Sequence, residues 1–134
     1  MILLDTHTLI WFASGASDLG PKALRHIEGQ PDRRMSAMVA WELAMLLDKR
    51  RIALGSPLET WLAEVMRTFE IVEVPVTSAI GCDAGGLKGN IHGDPCDRIM
   101  IATARALGCP LVTSDAAILR YAAGGHLTAI DARR

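Results

Sequence analysis

The stretch Ile2-Leu3-Leu4-Asp5-Thr6-His7-Thr8-Leu9-Ile10-Trp11-Phe12 decides how the rest of the chain is read. A short apolar run ends in an aspartate, and a second apolar segment of helical length follows. This is the pattern of a buried strand leading into a helix, with Asp5 at the junction. It returns near the other end, where Leu111-Val112-Thr113 meets Asp115. Between these two points the same alternation continues. Gly20-Pro21 turns into a helix reaching about Glu28, and Arg33-Arg34-Met35-Ser36 reads as a short strand. The most apolar helix spans Ala37 to Asp48 and is closed by the basic group Lys49-Arg50-Arg51 and by Gly55. Ser56-Pro57-Leu58-Glu59 has the form of a capping box, which predicts a helix from Pro57 to about Phe69. Ile71 to Val74 is a strand, Thr77 can cap a short helix ending near Gly85-Gly86, and Leu87 to Gly93 is a glycine-rich loop. Asp94-Pro95 opens a helix through about Leu107 that Gly108 ends. After the strand at Leu111, one more helix runs to about Ala122, and a last strand covers Leu127 to Ile130.

Short, continuously apolar strands alternating with longer helices predict an α/β fold: a doubly wound, mainly parallel sheet flanked by helices on both faces. The length of 134 residues suits one domain over 1–134. With 50% hydrophobic and 22% charged residues, the composition excludes a disordered chain. The net charge of −1 by itself announces neither a nucleic-acid nor a membrane partner. Cys82, Cys96 and Cys109 are odd in number and irregular in spacing, and the start lacks a basic leader segment and carries Asp5. A cytoplasmic protein is therefore expected. No uncharged stretch reaches the roughly 18 residues of a membrane-spanning helix.

Glu42 carries the most chemical information. Its neighbours one helical turn away are Met38, Val39, Met45 and Leu46, so it lies on the apolar stripe of its helix. A carboxylate there must be paired, hydrogen-bonded, bound to a cation, or placed at the stripe's edge where it reaches solvent. Asp5 and Asp115 fall at C-terminal strand ends, which share one crevice in an open parallel sheet. Asp94 and Asp97 open the Pro95 helix. Taken singly, Asp5, Asp94 and Asp115 also read as helix N-caps, and Asp97 as a first-turn acid favoured by the helix dipole. Taken together, these acids would crowd negative charge into a single cleft. Oxygen-only clusters suit hard divalent ions such as Mg²⁺ or Mn²⁺, which can activate water for phosphodiester hydrolysis.

The ordered set Leu3-Leu4-Asp5-Thr6-His7, Ser36 with Trp41-Glu42-Leu43, Asp94-Pro95-Cys96-Asp97-Arg98-Ile99-Met100-Ile101-Ala102, and Leu111-Val112-Thr113-Ser114-Asp115 closely resembles PIN-domain ribonucleases. It is most similar to the VapC-type toxins of bacterial toxin–antitoxin pairs. The resemblance implies that Asp5, Glu42, Asp97 and Asp115 are the catalytic, metal-holding acids. It implies an Mg²⁺- or Mn²⁺-dependent endoribonuclease that forms homodimers and is inhibited by a cognate VapB-type antitoxin. Asp94 matches an extra acid of the subgroup and is read as a cap or as support behind the ligands. Thr6 and Thr113 are expected to orient neighbouring carboxylates. The chain departs from the family pattern at Cys96, between the two aspartates, and in its glycine-rich segment from Ala84 to Gly89.

Setting aside the four site acids leaves the remaining chain net positive, so an RNA substrate is compatible with the charge. Arg98, Lys49 and Arg50 are the candidate phosphate contacts, with Arg51, Arg33 and Arg34 as further basic positions. Each also reads as ordinary solvated surface charge. The six aromatics include Trp11, Phe12 and Trp41 inside apolar segments, so no stacking platform for bases is visible. The spacings of the cysteines and His92 match no zinc pattern. His7 reads equally as a substrate contact or as a locally satisfied polar residue. The competing expectation is a non-catalytic PIN-fold module that binds RNA or protein and uses its acids only as caps. A receiver-type phosphoacceptor is disfavoured because no aspartate ends the strand near Val74.

Overall fold

The computed structural model describes Met1–Arg134 as five strands and seven helices. In chain order they are β1 (Ile2–Leu4), α1 (Thr6–Ser14), α2 (Pro21–Glu28), β2 (Arg33–Ser36), α3 (Met38–Asp48), α4 (Leu58–Thr68) and β3 (Ile71–Val74), then α5 (Ser78–Gly85), α6 (Pro95–Leu107), β4 (Leu111–Thr113), α7 (Ala116–Ala123) and β5 (Ala129–Asp131). The sheet order is β3-β2-β1-β4-β5. Every neighbouring pair is parallel, with Leu3 opposite Arg34 on one side and opposite Leu111 on the other. The expected mainly parallel sheet is thus parallel throughout.

Strand order reverses at β1, which places β2 and β3 to one side and β4 and β5 to the other. Crossovers running in opposite directions, each right-handed, put helices on opposite faces. Both faces of the central strands are correspondingly sealed: Ile2, Leu3, Leu4, Leu111 and Val112 are all 0–1% exposed. Each such Leu or Ile contributes about 1.5–3 kcal/mol through apolar burial. The reversal also fixes the site. The C-terminal ends of β1 and β4 lie side by side at the switch point, where a doubly wound sheet opens its crevice.

Helix ends follow local chemistry, with two differences from expectation. Gly108 ends α6 in the left-handed region at φ 63°, as a C-terminal glycine should. At α3, Ala37 occupies the cap position and the buried Ser36 hydroxyl accepts the Met38 N–H at 3.1 Å. The Ser56 capping box does not form. Pro57 is itself the N-cap residue, without a side-chain bond, and its carbonyl accepts from Trp61 at 2.9 Å. The ring fixes the entry angle that a serine cap would otherwise set.

The C-terminal residues after β5 are packed by backbone. Gly20 N–H donates to the Ala132 carbonyl at 2.9 Å and Lys22 N–H to the Arg134 carbonyl at 2.9 Å. A Cβ on Gly20 would lie 2.3 Å from the Arg134 carbonyl carbon. This contact carries Arg133 to the rim of the cleft. No helix is long and apolar enough to cross a membrane.

Candidate metal centre

A cleft of about 620 Å³ opens at the C-terminal sheet edge, and Asp5, Glu42, Asp97 and Asp115 line it together. Each reaches it for a different local reason. Asp5 caps α1, with one oxygen accepting the His7 N–H at 3.0 Å. Its other oxygen accepts the Thr113 hydroxyl. Asp115 caps α7 through the Ile118 N–H at 2.9 Å, and its own N–H donates to Thr113 Oγ1 at 3.1 Å. The Thr113 hydroxyl therefore joins the ends of β1 and β4, tying the carboxylate of one acid to the backbone of the other. Thr6 makes no such link: its buried Oγ1 has no hydrogen-bond partner.

Asp94 caps α6 by accepting the Asp97 N–H at 3.1 Å, and it also borders the cleft. Capping accounts for Asp5, Asp94 and Asp115, but not for Asp97 or Glu42, neither of which caps a helix. Asp97 is the third residue of α6, and its side chain is only 21% exposed. Glu42 sits half-buried on α3 beside Met45 and Leu46.

The electrostatics record the crowding. Burial, followed by the charges of Asp115, Asp94, Asp5 and Glu42, pushes the Asp97 carboxyl up to about 7. Burial also raises Asp5, opposed by the Thr113 hydrogen bond and reinforced by Glu42. The Cys96 thiol is pushed up to about 12, first by burial and then by Glu42, Asp94 and Asp97, which leaves it an inert apolar filler. Oxygens of Asp97 and Asp115 come within 4.8 Å of each other and of a His92 nitrogen. Two like charges at that separation repel by about 3 kcal/mol at an effective dielectric of about 20. A divalent cation removes this repulsion, and an all-carboxylate set with a histidine at its edge fits one.

The basic residues sort differently from expectation. Arg98 does not face the cleft as a free cation. Its guanidinium donates to the carbonyls of Ala84 (2.8 Å), His92 (3.2 Å) and Gly85 (3.3 Å), fastening the glycine-rich segment to α6. Lys49 and Arg50 are exposed beyond α3 and do not line the cleft, whereas Arg51 and Arg133 do. Arg33 is taken up by the carbonyls of Ile27 and Phe69, and Arg34 by Asp32. His7 also lines the cleft. Sequence reading missed Arg133, whose place depends on the tail contact with Gly20. It treated His92 only as a failed zinc ligand, although Nε2 lies 3.2 Å from Asp97 Oδ2.

Comparison with known proteins agrees with this geometry. The PIN domain family model matches residues 2–124. Ribonuclease VapC22 of Mycobacterium tuberculosis is 35% identical over 117 residues, covering 85% of this chain and 86% of that protein. The chain belongs to the PIN-domain family, in its VapC-type branch. Among solved structures, the VapBC2 complex of Rickettsia felis bound to a promoter DNA fragment superposes with a TM-score of 0.65 at 18% identity, over 97% of this chain and 98% of that one. A toxin–antitoxin complex from Klebsiella pneumoniae gives 0.59 at 21% identity, over 86% and 87%. At these identities the two structures bear on the fold alone.

Proposed function

We propose that this chain, acting as one domain over residues 1–134, is a cytoplasmic, divalent-cation-dependent endoribonuclease. It is the toxin of a toxin–antitoxin pair, works as a homodimer, and is restrained by a VapB-type antitoxin. The observation that carries the reading is the pair Asp97 and Glu42, which add charge to a cleft already edged by Asp5 and Asp115 without capping any helix. Asp5, Glu42, Asp97 and Asp115 would hold Mg²⁺ or Mn²⁺. When bound, the ion supplies an activated water and positive charge for the phosphate oxygens.

The chain's own residues do the rest. Thr113 holds Asp5 in place at the floor of the cleft. Asp97, poised to titrate near neutral pH, gives up its proton when positive charge arrives. Arg51 and Arg133 on the rim attract RNA backbone phosphates and bring the strand over the acids without reading its sequence. An apolar groove of about 460 Å³ runs alongside, lined by Met38, Trp41, Met45 and Val76 and ending at Glu42. Trp41 is 59% exposed. The groove suits an antitoxin peptide that lies along it and extends a basic side chain toward the acids.

A second reading, a PIN-fold module that binds RNA or protein without cutting, is favoured by the caps that Asp5, Asp94 and Asp115 do form. Cleavage of a structured RNA pool decides between the two, using wild type and Asp97→Asn, each with EDTA and with Mg²⁺ or Mn²⁺. Metal-dependent cutting lost in the folded variant is expected. RNA retention without cutting by the wild type in excess Mn²⁺ establishes the binding module instead.

A further inference from the structure

We propose that His92 is a positioning residue for Asp97: its Nε2 lies against one oxygen of Asp97, so that the other is left for the cation. This rests on the reading of Asp97 as a cation ligand and goes beyond it. The tautomer follows from a backbone contact. Asp94 N–H donates to His92 Nδ1 at 3.1 Å, so Nδ1 must present a lone pair and, in the neutral ring, Nε2 carries the hydrogen. Nε2 is the atom that lies 3.2 Å from Asp97 Oδ2. Asp97 N–H in turn donates to Asp94 Oδ1. His92, Asp94 and Asp97 therefore form a closed ring of contacts at the start of α6, and rotation of the Asp97 carboxylate would disturb it.

The same geometry argues against His92 as a metal ligand, although its nitrogen lies within 4.8 Å of oxygens of Asp97 and Asp115. Ligation through Nε2 requires a lone pair there. The proton would have to move to Nδ1, where it would oppose the Asp94 N–H.

His92 stands on the glycine-rich segment, so its placement depends on how that segment is held, and two side chains, Arg98 and Tyr121, hold it. Arg98 donates to the carbonyls of Ala84, Gly85 and His92 itself. The Tyr121 hydroxyl donates to the Lys88 carbonyl. Gly89 (φ 88°) lies so close to the Tyr121–His126 stack that an added Cβ would meet His126 Nε2 at 3.0 Å. A strap fixed at this many points delivers the imidazole to one place.

The test has two arms on the full chain. In long-range ¹H–¹⁵N spectra the wild-type His92 ring should show a protonated Nε2 and an unprotonated Nδ1, before and after addition of Mg²⁺. A proton on Nδ1, or loss of the Nε2 proton on adding Mg²⁺, overturns the proposal in favour of direct ligation or free rotation. In the second arm MnCl₂ is titrated into wild type, His92→Ala, His92→Gln and Asp97→Asn, with bound Mn²⁺ read by electron paramagnetic resonance. Affinity should fall about tenfold or more in His92→Ala, the scale seen when a partner behind a ligand is removed. It should largely return in His92→Gln, whose amide can donate in the same place. Equal affinity in wild type and His92→Ala overturns the role of His92 while leaving the metal centre standing. Absence of Mn²⁺ binding by the wild type, with no difference from Asp97→Asn, overturns the metal centre and the proposal together.

Discussion

Replacing Asp97 by Asn should stabilise the metal-free protein, increasingly so as the pH rises. The folded-state carboxyl sits at about 7 against an ordinary value of 3.8, first because of burial and then because of Asp115, Asp94, Asp5 and Glu42. A carboxyl with a raised folded pKa makes the folded state the tighter proton binder. Its contribution is therefore most favourable at low pH and is lost as pH rises through the folded value. At about 1.4 kcal/mol per pKa unit, the whole shift amounts to roughly 4 kcal/mol. Somewhat more than half falls between about pH 5 and about pH 8. Because the side chain is 21% exposed, solvent screening lowers the working figure to about 1–2 kcal/mol. Urea denaturation in EDTA should thus show the gap, Asn variant minus wild type, widening by about that amount from pH 5 to pH 8. In melting temperature the change is a few degrees for a domain of this size. Adding Mg²⁺ should reverse the order, since a cation at a hundredfold excess over its Kd stabilises the folded wild type by about 2.7 kcal/mol. A gap that stays constant with pH, or a wild type that gains on the variant, would refute the claim that burial and the neighbouring carboxylates raise the Asp97 carboxyl.

Other substitutions probe separate parts of the same structure. Thr113→Val keeps the shape but removes the hydroxyl between Asp5 and the Asp115 N–H. It should lower unfolding stability by about 1–3 kcal/mol and reduce RNA cleavage, measured by urea titration and gel assay. Arg51→Ala and Arg133→Ala should each flatten the salt dependence of RNA binding by about one phosphate contact. Arg98→Ala should leave that slope unchanged and instead lower the melting temperature, because its guanidinium bonds carbonyls. Trp41→Ala should weaken antitoxin binding by at least tenfold in a calorimetric titration while RNA cleavage by the free protein continues.

The strands and helices were legible because local pattern decides them. Ile2-Leu3-Leu4 and Leu111-Val112 are apolar on both sides of the backbone, which only a sheet covered on both faces requires, and each is punctuated by an aspartate that does cap the next helix. Glu42 was legible for the same reason, as an acid on an otherwise apolar helical stripe. The fate of the arginines was not. Arg98 follows Asp97 directly in sequence, yet successive helical residues point about 100° apart, and carbonyls exposed by the glycine-rich segment claim it. Arg133 reaches the cleft through a tail laid against Gly20, more than a hundred residues earlier in the sequence. No periodicity reports a contact of that separation. The Ser56 motif illustrates a third limit, since the same four residues allow a serine cap or a proline start and the tertiary path chose the latter.

Gly20 has a consequence for how mutational tolerance in this fold is interpreted. It holds no charge, lies away from the acids, and contributes only a hydrogen atom where any other residue would drive a carbon into the backbone of Arg133 and Arg134. A saturation scan scored by activity would rank it among the least replaceable positions, beside Asp5 and Asp97, and would suggest a chemical role. Scored by abundance, the acids should tolerate replacement and Gly20 should not. Comparing the two scores separates acids that the fold can spare from a glycine that routes the chain so that an arginine can stand at the rim.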